Sequence, residues 1–343
     1  MHHSWKPQLS LSINPRSRLT EVKTFWFGCQ SNSTVGLGHV SRCVSLAEEI
    51  ESRGHFSCFA HVSNLDSRGQ QLLTLSSLKS KCNCNSKPDV VIYDSYDLDF
   101  IQKDQLSTEA KVVLLVDDVS LPLTADAYLE ASTIKNWKPL NEEAPVFKFD
   151  CNPILRMAFD IPLYSLNFSP PFDVIINLGA AKDFQLILDV LLPQIRSRTD
   201  FNHRITILTG GNSSLEIAQA NETSDLDFVE GTYNLRDLIG SHSFVISAAG
   251  VTAWELISLG VPGFLIGVVN NQIEQLEYFN KLGLRNGIFF NYDSSFSTQI
   301  INLLDSMSFV DTAKKAQVFL KNGRVKAVDW ILSEVTNLPN RQI

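Results

Sequence analysis

The residues with the clearest chemical content are Gly36-Leu37-Gly38-His39. They follow a short apolar run, Thr24 to Cys29. They precede a segment in which Val40, Cys43, Val44, Ala47 and Ile50 share one helical face, with Gly54 as its stop. A strand, a glycine loop and a helix start, in that order, offer free backbone N–H groups to an anion and let it come close. His39, in the first turn, can point the same way. The positive helix end disfavours the imidazolium, so the ring is expected to stay neutral and able to take a proton. Such a histidine suits general-base catalysis. The same residues also fit a structural histidine at a helix start, since the third glycine of the dinucleotide fingerprint is missing. Arg42, one turn on, is either a surface residue or a partner for neighbouring strand ends.

A second strand-loop-helix pattern is Ser247-Ala248-Ala249-Gly250-Val251-Thr252-Ala253-Trp254-Glu255. Its small residues, with Ser247, Ala249, Gly250 and Thr252 at the loop, would let a diphosphate reach the N–H groups of the helix start. Glu255, about one turn inside, could accept from ribose hydroxyls, or simply favour a helix N-terminus. Asp94-Ser95-Tyr96-Asp97-Leu98-Asp99 follows another apolar run. There Tyr96 reads as a rim aromatic, Asp94 as a strand end and Asp99 as a helix cap. Cys82 and Cys84 lack the second pair that a tetrahedral zinc site requires.

The elements that position these residues follow from periodicity. From Thr24 the chain alternates apolar runs with amphipathic stretches, the sign of βα units and parallel sheets. Strands are expected at Phe56–Val62, Val90–Asp94 and Val112–Asp117, and a helix at Phe100–Ala110; after Asp118 the pattern is irregular. Ser169-Pro170-Pro171 reads as a linker. The alternation then restarts with strands at Asp173–Leu178, Ile205–Thr209, Asp227–Val229, Phe244–Ser247 and Gly263–Val268. Helices are expected at Phe184–Ile195, Ser214–Ala220, Leu235–Ile239, Thr252–Leu259 and Gln272–Leu282, with two or three more closing the chain.

The 343 residues suit two domains of about 150 each. The fold class expected is α/β, two doubly wound Rossmann-like domains facing a cleft. Residues 1–21 would form a disordered extension, 22–168 an N-terminal domain carrying the base, and 172–343 a C-terminal domain binding the nucleotide. With 44% hydrophobic residues the chain can fill two cores, which excludes wholesale disorder. A formal net charge of −8 argues against nonspecific nucleic-acid binding. No run approaches the roughly 20 apolar residues of a membrane span, so no stable membrane insertion is expected. Residues Met1 to Leu19 lack the apolar core of a secretory signal, so a cytoplasmic location is expected.

The run Gly36-Leu37-Gly38-His39-Val40-Ser41-Arg42-Cys43, with Leu46-Ala47 after it, resembles the opening signature of the UDP-sugar hydrolases of pseudaminic acid biosynthesis. Those enzymes cleave UDP-2,4-diacetamido-2,4,6-trideoxy-β-L-altropyranose to UDP and the free sugar, and share the GT-B architecture. Asp94 to Asp99 is similar to the family's Asp-x-Tyr-x-Leu-Asp segment, and Asn271-Gln272 to its Asn-Gln pair. Ile154-Leu155-Arg156-Met157-Ala158-Phe159 resembles its Leu-Leu-Arg-x-x-Phe run, without the acidic residue often found before Phe. The resemblance covers ordered blocks from Thr24 to Gly283.

It implies His39 as base, with Gly36, Gly38, Arg42, Tyr96, Arg156, Asn271 and Gln272 around the sugar. Tyr96 would touch sugar or phosphates, Glu255 would hold the ribose, and no metal or cofactor would be needed. Gly179-Ala180-Ala181-Lys182 departs from the family's glycine-rich turn, which puts its phosphate contact in doubt. The partner expected is a small-molecule UDP-sugar, and the protein a monomer or weak dimer. A GT-B glycosyltransferase, or a noncatalytic sugar-nucleotide-binding protein, would share the same residues.

Overall fold

The computed structural model describes residues 21–32, 35–60, 64–76, 78, 86–97, 99, 101, 109–117, 124–132, 137–160, 163, 168–179, 181–209, 225–230, 235–291, 293–305, 310–313 and 323–339. It contains two six-stranded sheets, every pairing parallel. The first comprises β1 (Thr24–Cys29), β2 (Phe56–Phe59), β3 (Val90–Asp94), β4 (Lys111–Val116), β5 (Ala127–Glu130) and β6 (Val146–Phe147), in the order β2-β1-β3-β4-β5-β6. Helix α1 (Gly38–Ser52) links β1 to β2, and α2 (Ser67–Leu75) follows β2.

The second comprises β7 (Phe172–Asn177), β8 (Phe201–Leu208), β9 (Leu226–Val229), β10 (Ser243–Ala248), β11 (Gly263–Gly267) and β12 (Gly287–Phe289), in the order β12-β11-β10-β7-β8-β9. Its helices are α3 (Phe184–Arg196), α4 (Leu235–Leu238), α5 (Val251–Leu259), α6 (Ile273–Leu282) and α7 (Ser295–Asp305); α8 (Gly323–Ser333) comes last. Two doubly wound parallel sheets are what the alternation predicts.

The central strands are apolar throughout because both faces are covered: every residue of β3 is buried. On one face of the first sheet Phe25, Phe27 and Ile92 pack with Val40, Val44 and Ala47 of α1. The other face holds a smaller cluster around Tyr93, Leu114 and Tyr128. The second sheet has one large core, in which Ile187, Leu188 and Leu191 of α3 meet Ile176, Val245 and Ile246.

Packing departs from the division into 22–168 and 172–343 at both ends. Phe149, Leu155, Phe159 and Phe168 already belong to the second core, so the chain has crossed well before Ser169-Pro170-Pro171. Conversely, Ala327, Val328 and Ile331 of α8, with Val335, pack in the first core. Arg324 fixes that return: it is buried and donates to Glu49 Oε2 at 3.1 Å and to Asp160 Oδ2 at 2.5 Å. The two crossings touch, since a Cβ on Gly323 would lie 2.1 Å from the Asn152 carbonyl oxygen.

Three strands go beyond the expected elements, and α2 is one of the helical segments expected between the strands. β5 and β6 lie in the stretch read as irregular, and β12 follows α6. Each is a short strand near a sheet edge, with two to four residues and too few apolar positions to form a pattern. Cys58 on β2 is disulfide-bonded, whereas Cys29, Cys43 and Cys151 are free. The N-terminal extension up to residue 20, the helix expected at 214–220 and most of that at 100–110 also lie outside them. Among the described residues no helix is long and apolar enough to cross a membrane.

Candidate active site

In an open parallel sheet, ligand crevices form beyond the carboxyl ends of the strands where the strand order reverses. In the first sheet the reversal falls between β1 and β3, whose Cys29 and Asp94 are register partners. The loop after β1 turns at Gly36, with φ +68°, a left-handed conformation suited to glycine. The chain then enters α1, where Leu37 is the N-cap residue. No side chain caps this helix start, and no acidic residue sits in its first turn.

His39 is 3% exposed, and its Nδ1 is hydrogen-bonded to Asp94 Oδ1. Asp94 is buried as well and accepts from Arg42 Nε and Nη2, each at 2.7 Å. Burial alone would push the Asp94 carboxyl up; Arg42 and His39 outweigh it and bring it down to about 2. An ionised carboxylate can only accept, so Nδ1 carries a proton; in the neutral ring the lone pair is then on Nε2. Arg42 Nη2 also reaches Asp117 Oδ2 at 2.7 Å, just beyond β4, and Tyr96 Oη donates to Asp117 Oδ1 at 2.8 Å. The Tyr96 ring stands edge-to-face against His39, 4.6 Å between centroids. Burial, then the neighbouring Asp117, pushes its phenol well above the ordinary tyrosine range.

His39, Asp94 and Asp117 offer ligand atoms within 4.8 Å of one another, a spacing that could hold a metal ion. Arg42 stands among them, however, so the positive charge these carboxylates call for is already present in the chain. This geometry suits a positioned base better than a metal centre.

In the second sheet the reversal falls between β7 and β10, where Asn177 and Ser247 are register partners. β10 leads through Ala249-Gly250 into α5, again without a capping side chain or a first-turn acid. Gln275 Nε2 donates to the carbonyls of Ala249 at 2.7 Å and Gly250 at 3.1 Å, which fixes both peptide planes. Gln272 Oε1 accepts from the Val268 N–H at 2.9 Å, and its Nε2 lies 3.7 Å from the position of a Cβ on Gly250. The two helix starts approach each other: a Cβ on Gly38 would lie 3.3 Å from Val251 Cγ2. Two uncapped N-termini beside one space suit an anion.

The structure thus brings Gly36, Gly38, His39, Arg42 and Tyr96 together, with Ala249, Gly250 and Thr252 at the opposing helix start and Gln272 reaching towards Gly250 from the start of α6. Arg42 is the partner of strand-end carboxylates rather than a surface residue. Ser247 is fully buried and its hydroxyl donates to the Ala248 carbonyl at 3.1 Å. Glu255 is buried, with Arg156 Nη2 at 3.5 Å. Burial raises its carboxyl and Arg156 draws it back in part. Arg156 therefore faces a carboxylate of its own chain. Asn271 is exposed just before α6. Asp117 and Gln275 were missed in the sequence, and Asp94 was read only as a strand end. The available signal was an acidic residue at the carboxyl end of each apolar run, Val90–Tyr93 and Val112–Val116.

Among solved structures, the glycotransferase of kitacinnamycin superposes with a TM-score of 0.60, at 12% identity over 90% of this chain and 98% of that one. MurG of Acinetobacter baumannii gives a TM-score of 0.57, at 14% identity over 90% and 99% of the two chains. LpCGTa, solved in complex with UDP, gives 0.59, at 13% identity over 93% and 100%.

The fold is GT-B-like.

No protein-family model matches the chain. A curated relative from Helicobacter pylori (strain ATCC 700392 / 26695) is the pseudaminic acid cytidylyltransferase and UDP-2,4-diacetamido-2,4,6-trideoxy-beta-L-altropyranose hydrolase. It is 25% identical over 281 residues, 79% of this chain and 49% of the relative. The chain thus spans about half the length of that protein. The likeness agrees with the resemblance carried by Gly36 to Cys43 and the later blocks. Within the GT-B-like frame, the His39 cluster stands on the first sheet and the Ala249-Gly250 loop on the second, across the cleft.

Proposed function

We propose that the chain hydrolyses a UDP-linked acetylated amino sugar, giving UDP and the free sugar, with His39 as general base. The observation that carries this reading is the His39–Asp94 pair set beside two opposed, uncapped helix starts. Nε2 takes a proton from water as the water oxygen bonds to the anomeric carbon. The bond from that carbon to the phosphate oxygen breaks, and its electron pair leaves with UDP. The N–H groups at the start of α5 stabilise the charge that grows on the diphosphate. Arg42 and Asp94 hold the ring, and the sugar occupies the space over Gly36 and Gly38. Likeness to the Helicobacter pylori protein supports a diacetamido-trideoxy sugar as substrate and a place in nonulosonic acid biosynthesis.

Glycosyl transfer is the competing reading, because the structural neighbours named above include glycosyltransferases. A 3% exposed His39 admits water far more readily than a sugar or lipid acceptor, which favours hydrolysis. The test is UDP release from a panel of UDP-sugars, with and without EDTA and with and without candidate acceptors. Hydrolysis predicts acceptor-independent release that EDTA leaves intact and His39→Gln abolishes while UDP still binds. Release only with an acceptor, or full turnover by His39→Gln, refutes the proposal.

A further inference from the structure

We infer that Tyr96 presents a hydrogen-bond acceptor to the ligand, that Asp117 imposes this polarity, and that the group recognised there is an O–H or N–H donor rather than a phosphate oxygen. The identity of the ligand rests on the UDP-sugar reading above; the polarity follows from contacts of the free protein. A phenol has a single proton and oxygen lone pairs. Tyr96 Oη lies 2.8 Å from Asp117 Oδ1, while Asp117 Oδ2 receives Arg42 Nη2 at 2.7 Å. A carboxylate facing a guanidinium accepts only, so the phenol proton lies between Tyr96 and Asp117. What Tyr96 Oη has left to offer is a lone pair.

The ring cannot easily swing to change this, since it packs edge-on against the buried His39. A sugar-linked diphosphate carries no proton at neutral pH and cannot donate to that lone pair. A sugar hydroxyl, an acetamido N–H or the attacking water can. With the two rings in contact, the donor sits close to the atom that His39 deprotonates. The expectation that Tyr96 touches sugar or phosphates therefore narrows to the sugar side. Asp117 is a positioning residue, acting through Tyr96 and Arg42.

Wild type, Tyr96→Phe and Asp117→Asn decide the matter. In Asp117→Asn the amide oxygen keeps Arg42 and the amide N–H donates to Tyr96, which turns the phenol proton outward. The first measurement needs no ligand: 19F NMR of protein labelled with 3-fluorotyrosine, Tyr96 assigned from Tyr96→Phe. The wild-type Tyr96 signal should stay neutral through the pH range in which exposed fluorotyrosines ionise, and that of Asp117→Asn should ionise at lower pH than wild type, still above the exposed ones because the ring stays buried. A wild-type signal that ionises with the exposed ones overturns the inference.

The second measurement is binding of UDP and of UDP-N-acetylglucosamine. Both variants should bind UDP like wild type. A roughly tenfold loss confined to the UDP-sugar, one hydrogen bond's worth, identifies a donor on the sugar. An unchanged sugar affinity with at least a tenfold lower kcat identifies the attacking water. Equal losses for UDP and UDP-sugar, or no change in affinity or turnover, overturn it. A wild type that releases no UDP from any UDP-sugar would remove the hydrolase reading, and the NMR result would still decide the polarity.

Discussion

Asp94→Asn is the sharpest test of how the base is built. Asp94 accepts from His39 Nδ1 and from Arg42 through both Nε and Nη2, the latter two at 2.7 Å. An asparagine of the same shape has one acceptor oxygen. If that oxygen takes the place of Oδ2 and keeps Arg42 Nε, the amide N–H2 stands where Oδ1 met both His39 Nδ1 and Arg42 Nη2, and it donates to Nδ1. The imidazole proton then moves to Nε2, the atom that should receive the proton of water. Inverting a catalytic histidine in this way costs about 10⁴ in kcat in serine proteases, or roughly 5.5 kcal/mol of barrier. The fold also suffers, because Arg42 is 6% exposed and would keep only Asp117 as a charged partner. Removing one member of a buried pair costs about 3–5 kcal/mol. UDP affinity should hold, since the Ala249-Gly250 loop stands on the other sheet. The assay is saturating UDP release, with UDP titration and thermal melting as controls. A double variant, Asp94→Asn with His39→Gln, should be no slower than either single one. A folded Asp94→Asn protein that binds UDP and keeps kcat within tenfold of wild type would refute the reasoning.

Three further outcomes follow from named contacts. The Asp94 carboxyl lies near 2 in the fold against 3.8 ordinarily, so its stabilising contribution is complete above about pH 4 and is lost as pH falls through 2. That contribution is about 2 kcal/mol, and denaturant melts from pH 6 to pH 2 should show it in wild type and not in Asp94→Asn. Gly323→Ala drives a Cβ to within 2.1 Å of the Asn152 carbonyl oxygen, where backbone must move; a loss of about 2 kcal/mol in thermal unfolding is expected. Gln275→Leu frees the Ala249 and Gly250 carbonyls and should raise the Kd for UDP by about tenfold, seen by calorimetry, while kcat changes less.

The βα alternation made the two sheets legible because apolar runs covered on both faces leave a continuous signal, as in β3. Strands at the sheet margins gave no such signal: β6 has two residues, and β5 ends on Glu130. The crossings were illegible for another reason. The first lies among residues that look like any irregular segment, and α8 carries an ordinary helical face whose partner, α1, is more than 250 positions away. His39 could be singled out from its loop, and Arg42 from its place one turn on. That Arg42 points inward depends on Asp94 and Asp117, the ends of two different strands, and no local pattern records that they become neighbours.

The arrangement also explains why one arginine can stand where a metal ion would otherwise fit. Two carboxylates and an imidazole gathered within 4.8 Å carry more negative charge than a buried site tolerates unpaired. A cation bound there would take His39 as a ligand and occupy the nitrogen that Asp94 needs. A guanidinium neutralises the same carboxylates through donors in a fixed plane and leaves the imidazole free to accept on Nε2. Arg42 is supplied by the helix that carries His39, three residues on, so base and counter-charge enter the site as one rigid unit. The charge that must be met from outside is then that of the ligand, and it is met by the helix starts of α1 and α5. On the proposed reading, proton transfer belongs to the first sheet and the α5 start on the second holds the diphosphate. Substitutions at Asp94 and at Gln275 should accordingly separate kcat from UDP affinity.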